Sequence, residues 1–199
     1  SMYQDRFKDA SDFTFIFVGN VDVEKMKPVI AEYLGALPAV NRKETFKDNK
    51  IEMRQGIYKN EFTKQQETPK ASVFAFYNGD CKYDLRNNLL LSMTSQILDL
   101  VYTEKVREDE GGTYGVYVGG TLQKYPKEKA ILQIIFDTAP EKKEKLMKII
   151  FGEIDNITKT GPSEANLNKV KEYMLKKHTE DLKENSYWLG SIDEYLLSL

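Results

Sequence analysis

The run from Asp84 to Arg107 sets Leu85, Leu89, Met93, Ile97, Leu100 and Val101 on one helical face, with Leu90 and Leu98 widening the stripe. An apolar stripe of that length has to be buried against another layer of structure, so this helix is the expected central packing element. Gly111-Gly112 ends it. Tyr114 to Leu122 and Ala130 to Asp137 then read as two strands of a hairpin or meander, joined by the polar, proline-containing stretch Gln123 to Lys129. Upstream, Ser72 to Tyr77 reads as a buried strand ending at Asn78-Gly79-Asp80, and Ile51 to Phe62 as one or two exposed strands. Phe13 to Val18 is β-branched and aromatic on both alternating sets, which predicts a strand that is covered on both faces or central in its sheet.

Helix signals separate these strands. Asp22 is a candidate N-cap for a helix carrying Val23, Met26, Ile30, Tyr33 and Leu34 up to Gly35, and Pro28 predicts a loose first turn or a restart within it. Thr138-Ala139-Pro140-Glu141 matches a capping box with proline just inside the helix start, ahead of a stripe of Leu146, Ile149, Ile150, Ile154 and Ile157. Gly161-Pro162-Ser163 breaks that helix and starts another, with Leu167, Val170, Met174 and Leu182 inward. The order β-α-β-β-α-β-β-α-α, with adjacent strands close in sequence, predicts an α+β fold of two layers, a mainly antiparallel sheet carrying its helices on one face.

At 199 residues the chain is expected to form a single domain, 1–199. The Ser1-Met2 start and the apolar end at Tyr195 to Leu199 read as a fragment of a longer multi-domain chain. A net charge of −2 removes the attraction that a general nucleic-acid binder needs. No apolar run approaches the ~20 residues that cross a bilayer, so no membrane insertion is expected. One cysteine, Cys81, closes no intrachain disulfide, and one histidine, His178, does not supply the ligand set of a zinc site, so the chain is expected to hold no metal of its own. No glycine-rich phosphate loop follows any strand.

His178 falls four residues after Met174 and four before Leu182, the position of a histidine at the rim of an apolar stripe. Cys81 has no recognisable second catalytic group beside it. Asn156-Ile157-Thr158 matches a glycosylation acceptor but sits on a predicted helix, and the Lys/Glu run from Glu141 to Lys148 reads as a solvated helix face. Arg107 and Tyr114 are less ordinary, because they flank the Gly111-Gly112 turn between the long helix and the next strand. Such a turn aims two polar tips at one spot, where a guanidinium fork and a phenolic donor serve a peptide carbonyl or a developing oxyanion. On spacing alone, a dipole-complementing arginine and a rim tyrosine are the stronger explanation of the pair.

Arg6 to Asp22, Tyr33 to Pro38, Arg107 to Val116, Gly161-Pro162-Ser163 and Asn185 to Leu189, in that order, resemble the C-terminal type domain of the bacterial pitrilysin-like (M16) zinc metallopeptidases. The resemblance implies the M16, or LuxS-like, metallohydrolase fold and a clamshell of four related domains. It also implies Zn2+ bound in another domain by an H-x-x-E-H motif that this chain lacks. In such enzymes the last domain contributes an arginine and a tyrosine seven positions apart, which Arg107 and Tyr114 match. The pattern also occurs in the second domain, and the Asn185 to Leu189 signature favours the last. By that resemblance Tyr114 is catalytic, stabilising the oxyanion formed when zinc-activated water attacks the carbonyl, and Arg107 binds substrate by positioning the peptide. The implied partners are a peptide substrate and the zinc-binding M16 half, in the same chain or another subunit, and the branch suggests the bacterial periplasm. The alternatives are a non-catalytic M16-like scaffold or processing-partner subunit, and a free-standing peptide-binding module.

Overall fold

The computed structural model describes residues 1–45, 47–110 and 115–198, with only the backbone of 107–110 and 198. Their contacts divide the chain into two units, one of residues 50–174 and one of residues 1–49 with 175–199.

The first of these is built on a three-stranded antiparallel sheet. Strand β1 (Ala71–Asp80) and strand β2 (Val116–Gln123) flank β3 (Lys129–Thr138), in the order β1-β3-β2. Ala71 pairs with Thr138 and Asp80 with Lys129, while Val116 pairs with Phe136 and Gln123 with Lys129. Side chains alternate across a sheet, and this register puts Val73, Ala75, Ile134, Phe136, Val116 and Val118 on one face. That face meets helix α1 (Leu85–Glu110) and helix α2 (Lys143–Thr160), which is entered through a 3₁₀ turn at Pro140–Lys142. Leu98, Tyr102, Val106, Ile134, Phe136, Leu146 and Ile150 form the buried core between the layers. The Tyr102 hydroxyl donates to the Ile150 carbonyl at 3.0 Å, bonding the two helices, and burial pushes its phenol well above the ordinary range.

The long helix approaches β2 closely because Gly120 has no side chain. A Cβ there would lie 2.6 Å from both Leu91 Cγ and Ser95 Oγ. The opposite sheet face is apolar but open, with Phe74, Ile135 and Tyr117 side by side across the three strands. The expected buried strand at Ser72 to Tyr77 therefore forms, but is covered on one face, and Phe74 and Phe76 are half or more exposed. Helix α3 (Glu164–Asp181) follows the Gly161-Pro162-Ser163 break, with the Ser163 hydroxyl accepting from the Asn166 N–H at 3.2 Å. Val170 is buried on it, whereas Leu182 beyond its end is exposed.

In the other unit, helix α4 (Met2–Phe7) precedes helix α5 (Val23–Tyr33), and helix α6 (Asn185–Ser198) follows the end of α3. Asp22 caps α5, accepting from the Lys25 N–H at 3.1 Å. The expected restart at Pro28 does not occur, since the helix runs unbroken through it. Asp9, 3% exposed, is the clip of this unit. Its carboxylate accepts from the Ser11 hydroxyl (2.6 Å) and from the N–H groups of Ser11, Val40 and Arg42 at 3.0 to 3.1 Å.

Three local expectations are corrected. Residues 13–18 join no ladder; Phe13, Phe15 and Phe17 are exposed, and Phe13 stacks edge-on with Phe7 and Phe15. Residues 51–62 are likewise outside the sheet. In both cases the alternation satisfies a strand's side chains, but its backbone bonds need a neighbour that composition does not name. The Thr138 capping box is also not formed. Thr138 is spent as the last residue of β3, Ala139 takes the cap position without a side-chain bond, and the buried Thr138 hydroxyl has no partner among the described residues.

Candidate functional site

The helix that carries Arg107 and the strand that follows Tyr114 are both anchored in the buried core. Tyr102 and Val106 on the last turns of α1 are fully or nearly buried, and Val116 at the start of β2 packs against the same cluster. The end of α1 and the beginning of β2 thus share one end of the two-layer unit. Arg107 is a residue of α1 by its backbone, one position beyond Val106. Tyr114, with the Gly111-Gly112 turn, lies outside the described residues. The junction is held from behind by the bond from Tyr102 to Ile150 and by an ion pair between Lys105 and Glu153 across α1 and α2.

The other single chemical groups are separate from this junction in sequence and from one another. His178 is exposed, its Nδ1 3.5 Å from the Tyr187 hydroxyl and its ring edge-on to that phenol. Cys81 is half-buried, its thiol 3.9 Å from the Lys82 carbonyl. Among the described residues no three His, Cys, Asp or Glu side chains come together in a group able to hold a metal ion. No described helix is long and apolar enough to cross a membrane. An open cavity of about 610 Å³ lies between the 64–70 segment and Thr138-Ala139, and neither His178 nor Cys81 lines it.

The sequence reading passed over two residues. Asp9 gathers four hydrogen bonds, and the Asp-x-Ser spacing to Ser11 was its only local signal. Asp137, at the end of β3, bonds Lys70 at 2.8 Å and the Ser72 hydroxyl at 2.5 Å, and these two donors hold its carboxyl below the usual range. Asp9 organises backbone, Asp137 ties two side chains at the start of β1, and neither carries recognisable reaction chemistry.

Comparison with known proteins places the chain. The family described as the peptidase M16 inactive domain matches residues 2–174. A zinc protease of the PQQL-like type from Arabidopsis thaliana is 24% identical over 199 residues, covering 94% of this chain and 21% of its own length. The periplasmic protease PqqL of Escherichia coli superposes with a TM-score of 0.70 at 19% identity, over 89% of this chain and 20% of its own. A peptidase M16 inactive domain from Pseudomonas fluorescens gives 0.52 at 25% identity, over 62% of this chain and 30% of its own. The ferredoxin protease FusC, solved in complex with Arabidopsis ferredoxin, gives 0.60 at 13% identity over 84% of this chain and 18% of its own. The chain therefore spans about a fifth of the length of the curated relative it matches.

Proposed function

The chain belongs to the family of the M16 peptidase inactive domain, and on that premise we propose that it is the substrate-binding half of a zinc-dependent M16 metalloendopeptidase. In this reading it supplies an arginine and a tyrosine to a peptide, while zinc is bound by another domain. The observation that supports the reading is the placement of the chain on either side of the pair: Arg107 and Tyr114 stand seven positions apart in sequence, and Val106 before them and Val116 after them pack on one core.

Zinc does not fit this chain. Among the described residues no cluster of ligands exists, and the one histidine faces a tyrosine hydroxyl. The metal is assigned to a partner half, in the same polypeptide or a second subunit. The residues of this chain act on the substrate backbone. The Arg107 guanidinium offers a planar fork of N–H donors to a peptide carbonyl and fixes the register of the bound chain. The Tyr114 phenol donates to the scissile carbonyl oxygen, and that bond strengthens as the oxygen gains charge, which lowers the barrier without moving a proton. A site divided between two halves is complete only when they close on the peptide, so closure precedes chemistry.

The two residues are distinguishable by kinetics in the full-length parent enzyme. Arg107→Ala removes a contact that binds the peptide and also sets the register of its scissile bond, so KM rises and kcat falls together; Arg107→Lys fails to restore either, because the fork is lost. Wild-type kinetics in Arg107→Ala would return the residue to a helix-terminus role. A parent reading frame with no H-x-x-E-H would instead favour a non-catalytic scaffold.

A further inference from the structure

Two polar ties join the last turns of α1 to α2, and both stop just short of Arg107. The buried Tyr102 hydroxyl donates to the Ile150 carbonyl at 3.0 Å, and the Lys105 ammonium donates to the Glu153 carboxylate. From the first tie to the second the chain advances three residues on each helix, as it does where two helices lie side by side and run the same way. Ties about one turn apart on both partners resist sliding as well as rotation. The apolar contact of Val106 with the core is non-directional and resists neither by itself. Val106 is the last α1 side chain described, and Arg107 follows it in the same helix. At about 1.5 Å of rise per residue, the Arg107 backbone stands about 3 Å beyond Lys105 along the axis, so a shift of the last turn is passed on to it almost whole.

The two ties differ in what else they carry. The Tyr102 phenol is part of the core, so removing it changes packing and stability together. The ionic tie lies at the rim, with the Lys105 side chain 48% exposed and that of Glu153 14%. An ion pair with a half-exposed partner contributes little to stability, so its effect on position is separable from any effect on folding. We propose that Glu153 is a positioning residue of the proposed substrate site: acting through Lys105, it fixes the last turn of α1 and with it the place from which Arg107 meets the peptide. This rests on the substrate-binding reading of Arg107. Glu153 itself touches no substrate; it sets the register in which the guanidinium fork is offered, and a small misplacement of such a group weakens both binding and turnover.

Steady-state kinetics of the full-length parent enzyme, with melting curves as the folding control, tests this. Glu153→Gln, which removes the charge and keeps the shape, should lower kcat/KM about three- to tenfold through KM and kcat together, as Arg107→Ala does, at nearly unchanged Tm. Added to Arg107→Ala it should cost nothing further, because both changes act through one group, whereas a purely structural glutamate would cost the same in either background. Wild-type kinetics in Glu153→Gln, or an equal loss with and without Arg107, overturns the inference, while a loss in Arg107→Ala alone leaves the substrate-binding reading standing. A silent Arg107→Ala overturns both. If Glu153→Gln does not fold, Lys105→Gln, at the more exposed end of the pair, is read against the same results.

Discussion

Asp9 shows how one side chain can order a turn. Its carboxylate receives four donors, and the Ser11 hydroxyl, ahead of the Val40, Ser11 and Arg42 backbone N–H groups, holds its pKa at about 2. An unfolded aspartate titrates near 3.9. The folded value is the lower, so the stabilisation is complete above the unfolded value and is lost as pH falls from about 4 through 2. Thermal melts of the chain should show a Tm that declines across that window. Asp9→Asn, which brings an amide N–H against backbone donors, should lower Tm at pH 7 and flatten the decline. A pH dependence unchanged by Asp9→Asn would remove the carboxylate from this role.

At the scale of elements, Thr138 separates two accounts of how α2 begins. A threonine N-cap contributes roughly 0.5–2 kcal/mol, so removing it from a capping box would destabilise. In the structure the hydroxyl is buried at the end of β3 with no partner among the described residues, a burden of about 1–3 kcal/mol. Thr138→Val should therefore be neutral or stabilising in chemical denaturation, and a loss near 1 kcal/mol would restore the capping box. The same contrast explains what the sequence let one read. The helices through Leu98, Ile150 and Val170 were legible because each closes its own hydrogen bonds and shows its buried face at a 3.6-residue period. The hairpin of β2 and β3 was legible because its turn is local. Residues 13–18 and 51–62 carry strand-like residues as β1 does, but a strand exists only with a neighbour, and composition does not say which edge is open. Thr138 was misassigned because one residue fits two motifs, and the strand pairing with Ala71 took precedence.

Across the whole molecule, every buried apolar residue among those described belongs to the 50–174 unit; Val106 near the end of α1 is one of them, and the partly buried Val116 at the start of β2 packs against the same cluster. Val106 and Val116, packed on one core, give the chain on either side of the proposed site a fixed support, which is what a group aimed at a transition state requires. Spacing alone did not distinguish Arg107 and Tyr114 from a helix-end arginine and a rim tyrosine; the resemblance did, because the chemistry needs a partner half that this sequence does not contain. The most direct measurement is steady-state kinetics of Tyr114→Phe in the full-length parent enzyme, with melting curves as the folding control. If Tyr114 donates to the oxyanion, kcat falls by ~10² to 10³ while peptide affinity and Tm barely change. Wild-type turnover, or a collapse in Tm, would contradict the assignment of this chain as the substrate-binding half of a peptidase site.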